Sequence, residues 1–104
     1  MAKEEVKKWN DAEIAEGLSE LSGWTLLKDR PAITKSFKFN NFIEAWNFMD
    51  EIAYNAEEIG HHPEWTNVYN RVDITLSTHD VGGLSELDFD LASIIDDIKD
   101  NPSA

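Results

Sequence analysis

All three histidines of this 104-residue chain fall in two short stretches, Gly60-His61-His62-Pro63-Glu64-Trp65 and Ser77-Thr78-His79-Asp80. An imidazole, with an unperturbed pKa of about 6.5, can give or take a proton near neutral pH, so such a cluster suits general acid–base chemistry. Adjacent histidines cannot both project the same way from a regular helix or strand. Pro63 biases His62 toward extended backbone, and the pair therefore reads as a loop. A hairpin fold-back would bring His79 opposite His61. Carboxylates lie close by. Glu57 and Glu58 occupy the last turn of a helical pattern, where the negative end of the helix dipole disfavours anions. Breaking a local preference in this way points to function for Glu57, while Glu58 reads as solvated. Asp88 fits the third position of a capping box begun by Ser85, so a structural and a functional reading both stand for it.

Metal chemistry is the first rival. Catalytic zinc sites often use two histidines one helical turn apart with a further ligand. Adjacent loop histidines do not match that spacing, although a three-histidine site remains geometrically open. The chain has no cysteine, which excludes thiolate nucleophiles, zinc–thiolate sites and disulfides. No metal and no cofactor are expected.

The elements that must place these residues follow from periodicity. Asn10 can cap a first helix over 11–21, with Glu13 completing the box and Ile14, Leu18 and Leu21 on one face. Asn41 can cap a second, whose stripe is Phe42, Ala45, Trp46, Met49, Ile52, Ala53 and Ala56. It should stop near Ile59, with Gly60 in the left-handed region. A third starts after Ser85 and carries Leu87, Leu91, Ile94, Ile95 and Ile98. Strand patterns cover 24–28, 33–39, 66–69 and 72–78, with a turn through Asp29-Arg30-Pro31 and a tight one at Asn70-Arg71. Val72, Ile74 and Leu76 alternate with Asp73, Thr75 and Ser77, which predicts a sheet with one covered face. The fold class is α+β, a four-stranded antiparallel sheet with three helices packed on one face. Residues 1–9 and 101–104 read as tails around a single domain over 10–100.

Charge narrows the partners. Lys and Arg number 9 against 21 Asp and Glu, a formal charge of -12. Such a surface repels phosphate backbones and anionic lipid, so neither nucleic acid nor membrane is expected to bind directly. The start, Met-Ala-Lys-Glu-Glu-Val-Lys-Lys, lacks the apolar core of a secretory signal, and a cytoplasmic location is expected. The open sheet face and its free edges suggest a homodimer or homotetramer.

The run His61-His62-Pro63-Glu64-Trp65-Thr66-Asn67-Val68-Tyr69-Asn70-Arg71-Val72 is followed by Ile74-Thr75-Leu76-Ser77-Thr78-His79-Asp80, Gly83-Leu84-Ser85 and Asp88. Together they resemble the pterin-4a-carbinolamine dehydratase family, also known as the dimerization cofactor of a homeodomain transcription factor. The likeness extends from Trp24 to the third helix. It implies a hydro-lyase that removes water from 4a-hydroxytetrahydrobiopterin to give quinonoid dihydropterin, a step in tetrahydrobiopterin recycling. By that resemblance His61 and His79 are the acid–base pair and His62 positions the substrate or assists protonation. Pro63 and Trp65 would shape the pocket, and the backbone of Ser77, Thr78 and Asp80 would bind the pterin edge. Glu57 and Asp88 would orient or tune the histidines. Relatives commonly carry Asp or Asn before the His-His pair, where this chain has Gly60, so a side-chain contact from that position is missing. A second reading is an interaction module, with a protein partner docking on the third helix at Phe89 and Ala92, which lie off its core stripe.

Overall fold

Alternation in one strand sets the architecture. The computed structural model describes residues 6–102, and in it Val72, Ile74 and Leu76 are wholly inaccessible while Asp73 and Thr75 are half-exposed. That strand, β4 (Arg71–Leu76), lies inside an antiparallel sheet of order β1-β2-β4-β3, with β1 at Thr25–Leu26, β2 at Ile33–Lys38 and β3 at Glu64–Val68. Helices α1 (Asp11–Ser19), α2 (Phe42–Ile59) and α3 (Glu86–Asp100) complete the described residues, with a 3-10 turn at His79–Val81. The fold is α+β, with the helices on one face of a four-stranded antiparallel sheet, as expected.

The register Ile33↔Leu76, Lys35↔Ile74 and Phe37↔Val72 aligns one set of side chains under the helices. Lys35 breaks the apolar row without an unpaired charge. Its Nζ donates to Asp96 Oδ1 at 2.8 Å and to the Ser22 carbonyl at 2.7 Å, and Trp24 Nε1 donates to the same carboxylate. Three elements are thereby tied at the rim of the core.

The helices begin where their caps dictate. Asn10 and Ser85 each form the reciprocal capping box, with Glu13 and Asp88, and Asn41 accepts from the Glu44 amide. Helix α1 ends at Ser19, earlier than residue 21, because Glu20 and Leu21 donate three residues back and tighten into a turn.

Several packing expectations need correction. In α2 the buried side chains are Ala45, Phe48, Ile52 and Ala56, whereas Phe42, Trp46 and Ala53 are exposed. Phe48 takes the core position, its ring 4.9 Å from those of both Phe37 and Phe39. The apolar arc of α2 is wider than this domain covers, so the sequence stripe drew in its uncovered edge. In α3 both Phe89 and Ala92 are buried, which removes them as a docking surface. Phe89 stacks on Trp9 with ring centroids 4.6 Å apart, and the Trp9 amide donates to the Leu84 carbonyl at 2.7 Å. Helix α3 is thus covered on a second side, and Trp9 packs with the domain. The β3–β4 turn falls at Tyr69-Asn70, one residue earlier than expected, with Tyr69 at φ 52°. Strand β3 consequently starts at Glu64, because Glu64 and Trp65 pair with Thr75 and Ile74. Strand β1 is shorter than the expected 24–28. Among the described residues no helix is long and apolar enough to cross a membrane.

The Trp9–Phe89 stack makes a test of this packing. Alanine normally stabilises a helix interior over glycine by about 1 kcal/mol. At Gly17 a Cβ would stand 2.7 Å from the Phe89 ring and 2.9 Å from Trp9. Gly17→Ala should therefore destabilise, by about 1–2 kcal/mol of overpacking, in urea unfolding. A gain in stability would contradict this arrangement.

Candidate active site

The two histidine segments come together because two turns stop their elements side by side. Helix α2 ends as Gly60 adopts φ 70°, with the Gly60 amide donating to Glu57 O and the His61 amide to Ala56 O. This left-handed stop delivers His61 immediately beyond the last turn, and Pro63 leads the chain into β3. Beyond β4, Thr78 pairs with Gly83 as an isolated bridge that encloses the 3-10 turn carrying His79. Because β3 and β4 are hydrogen-bonded neighbours, the start of one lies beside the end of the other.

His61 is held most firmly. Its ring, 8% exposed, donates from Nε2 to Asp88 Oδ1 at 2.6 Å. Asp88 is completely buried, and its second oxygen accepts from Thr78 Oγ1 at 2.7 Å and from the Ser85 amide at 3.0 Å. Thr78 spends its hydroxyl proton on Asp88, so Ser85 Oγ must donate to Thr78 Oγ1, 2.7 Å away. A carboxylate removed from water is costly unless its lone pairs are filled, and these donors together with the α3 N-terminus fill them. Asp88 is at once helix cap and histidine partner. The capping box read from the sequence is present, and the same carboxylate meets His61.

The other two histidines are outside the core, and each meets a carboxylate as well. His62 Nε2 lies 2.9 Å from Glu57 Oε1, with both side chains mostly exposed. Glu57 stays tolerable at the helix end because it faces water and a basic partner. His79 Nε2 is 3.3 Å from Glu64 Oε2. Glu64 itself is clamped by Arg30, which donates Nη1 to Oε1 at 2.8 Å and Nη2 to Oε2 at 2.7 Å. Those guanidinium hydrogen bonds hold the Glu64 carboxyl at about 2, well below the ordinary range, so it is ionised throughout the neutral region.

His61, His62, His79, Ser77, Thr78 and Asp80 share one cavity of about 260 Å³, joined by Val6, Gly60 and Leu87. That volume lies just under the range of about 300–1,000 Å³ usual for ligand pockets. A larger hollow of about 620 Å³ lies between α2 and the end of α3, but it contains no histidine. All three histidines of the chain line the smaller one. Among the described residues no group of three His, Asp or Glu side chains is arranged to hold a metal ion.

Not every expected residue joins this cavity. Trp65 packs against the core from the covered side of β3, opposite Ile74, and neither it nor Pro63 lines the cavity wall. The Thr78 amide already donates to Gly83 O, and the Ser77 hydroxyl donates to Pro31 O at 2.9 Å. Sequence reasoning missed the Arg30–Glu64 clamp. Glu64 stood in the histidine run, but Arg30 is 34 residues away and only the fold brings them together.

Comparison with known proteins identifies the family. Residues 7–98 match the pterin 4 alpha carbinolamine dehydratase family. A protein of Sinorhizobium fredii (strain NBRC 101917 / NGR234), provisionally named pterin-4-alpha-carbinolamine dehydratase, is 58% identical over 87 residues, 83% of each chain. A crystal structure of a transcriptional coactivator/pterin dehydratase from Brucella melitensis aligns with a TM-score of 0.86 at 46% identity, covering 88% of this chain and 98% of that one. A pterin dehydratase-like protein identified as a RuBisCO assembly factor in the alpha-carboxysome aligns at 0.61 and 28% identity, over 71% and 86%. With a family match that runs from before α1 into the last turn of α3 and takes in all four strands, the chain belongs to the pterin 4 alpha carbinolamine dehydratase family.

Proposed function

We propose that this protein is a 4a-hydroxytetrahydrobiopterin dehydratase acting by histidine acid–base catalysis, in the cytoplasm, as a step of tetrahydrobiopterin recycling. The observation that carries the reading is the convergence of His61, His62 and His79 on one small cavity, each ring beside a carboxylate. The family supplies the pterin.

Dehydration asks for two proton movements. The hydroxyl on C4a leaves as water when an acid protonates it, and a ring-nitrogen proton passes to a base as the quinonoid system forms. The two transfers balance, so no net proton is consumed. Imidazoles serve both roles near neutral pH. In this reading His61 and His79 exchange the two protons. His61 works from a fixed position, because Asp88 holds its Nε2 hydrogen and leaves Nδ1 as the nitrogen not engaged by that carboxylate. His62, tethered to Glu57, positions the pterin. Asp80 and the neighbouring backbone meet its polar edge. The reaction as written requires no cofactor.

The exposed Phe42, Ile43 and Trp46 on α2 form an apolar surface that this domain leaves uncovered. Such a patch favours a second copy, and we read the protein as a homodimer or homotetramer.

His61→Ala and His79→Ala should each lower the dehydration rate about 10²- to 10⁴-fold in stopped-flow assays with the 4a-hydroxypterin. Normal turnover by both variants would refute the mechanism. Asp88→Asn exchanges an acceptor for a donor opposite His61 Nε2. It should reduce kcat about 100-fold, the usual scale for a misplaced catalytic group, with less effect on KM. Trp46→Glu should give a lighter particle than the parent in sedimentation; an unchanged mass would move the interface off α2.

A further inference from the structure

We propose that Arg30 and Glu64 form a positioning unit for His79, in which Arg30 shares the Glu64 carboxylate with the imidazole. The inference rests on the acid–base reading of His79 only where activity is concerned.

The geometry is specific. Arg30 Nη2 and His79 Nε2 address the same oxygen, Glu64 Oε2, at 2.7 Å and 3.3 Å, while Arg30 Nη1 takes Oε1 at 2.8 Å. A two-pronged guanidinium fixes the plane of the carboxylate, which a single contact does not. The fold supports both partners. The Ser77 hydroxyl, two residues before His79, holds the Pro31 carbonyl, and the Ala32 amide donates to Arg30 O at 2.9 Å. The loop carrying Arg30 is therefore fastened to the end of the strand that leads to His79. Glu64 opens β3 directly opposite Thr75.

The pair is not there for stability. Both side chains are more than a third exposed, and surface ion pairs contribute little to folding. What the clamp supplies is a permanently ionised, oriented carboxylate next to His79, since Arg30 holds Glu64 far below its ordinary titration range. Other charged groups face the same site: Asp80 on the turn of His79, Asp29 beside Arg30, and Glu57 on the far side at His62. Asp88 beneath them is committed to His61, Thr78 and Ser85. Of the three carboxylates that meet a histidine, Glu64 also bonds a cation, and that makes its effect on the imidazole adjustable in two directions.

Opposite signs provide the test. Removing the Glu64 charge takes an anion from the imidazolium; removing the Arg30 charge takes away a cation and frees the carboxylate for the imidazole. We would follow the His79 ring proton by NMR against pH in the ligand-free protein, with His61 as internal reference. The His79 titration midpoint should move to lower pH in Glu64→Gln and to higher pH in Arg30→Gln. Both displacements should shrink when ionic strength is raised from about 0.05 to 0.5 M, as exposed pairs are screened. Arg30→Lys should fall between parent and Arg30→Gln, since it keeps the charge without the fork. Should a glutamine variant fail to fold, Arg30→Lys and Glu64→Asp, which shortens the reach, carry the same comparison. In the dehydration assay Glu64→Gln should lose about 2- to 5-fold in kcat/KM at neutral pH, the rate equivalent of an exposed pair's coupling. No displacement of His79, or displacement in one direction for both variants, overturns the proposal while leaving the dehydratase reading intact. Opposed displacements in a protein whose parent shows no turnover would support the unit and sink the function instead.

Discussion

The site depends on one buried carboxylate. Asp88 joins the end of α2 through His61, the end of β4 through Thr78, and the start of α3 through Ser85. Removing such a group from water costs several kcal/mol unless donors surround it, and three donors together with a helix N-terminus do so here. None of these contacts is interchangeable. If Thr78 or Ser85 moved, Asp88 would lose a donor, and a buried charge short of donors is worse than none. The three elements are therefore obliged to meet at one point, and the histidine is located by that obligation. A cap that satisfies a helix also aims an imidazole.

Around that fixed point the exposure of the histidine–carboxylate pairs rises stepwise. Asp88 is inaccessible, Glu64 is half-exposed under Arg30, and Glu57 is largely in water. In a cavity of about 260 Å³ this gives one rigid wall and two adjustable ones. On the proposed dehydratase reading, a pterin entering it would lie among His61, His62 and His79. The two exposed pairs would lose water at that moment and become electrostatically stronger, because screening and dielectric both fall. Their small worth in the free protein is thus no measure of their effect with a ligand bound.

Much of this was legible in the sequence, for local reasons. Capping residues Asn10, Asn41 and Ser85, the Gly60 stop and the β4 alternation each act within a few residues, and each is found where the pattern placed it. The Phe48, Phe89 and Trp9 packing was not legible. Periodicity reports that a helix face is apolar but not what covers it. Helix α2 carries a wider apolar arc than the domain buries, and α3 is covered on two sides by elements distant in sequence. The same limit explains the site. His61, His62, His79 and Asp88 lie within 28 residues and drew notice together, whereas Arg30 enters only through the pairing of β3 with β4 and the Ser77 contact to its loop.

Trp65 shows how strand alternation sorts the residues of a motif. It stands three residues after His62 in the most distinctive run of the chain, which invites a role at the ligand. Strand alternation decides which face it takes. His62 and Glu64 flank Pro63 at the loop, and once β3 begins, consecutive side chains take opposite faces. Glu64 falls on the open face with Arg30, and Trp65 is sent to the covered one against Ile74. The tryptophan then serves the site indirectly, by seating β3 so that its neighbour faces His79. Shifting the register by one residue would exchange the two and put the carboxylate into the core. Register, set by Trp65, is what makes Glu64 available.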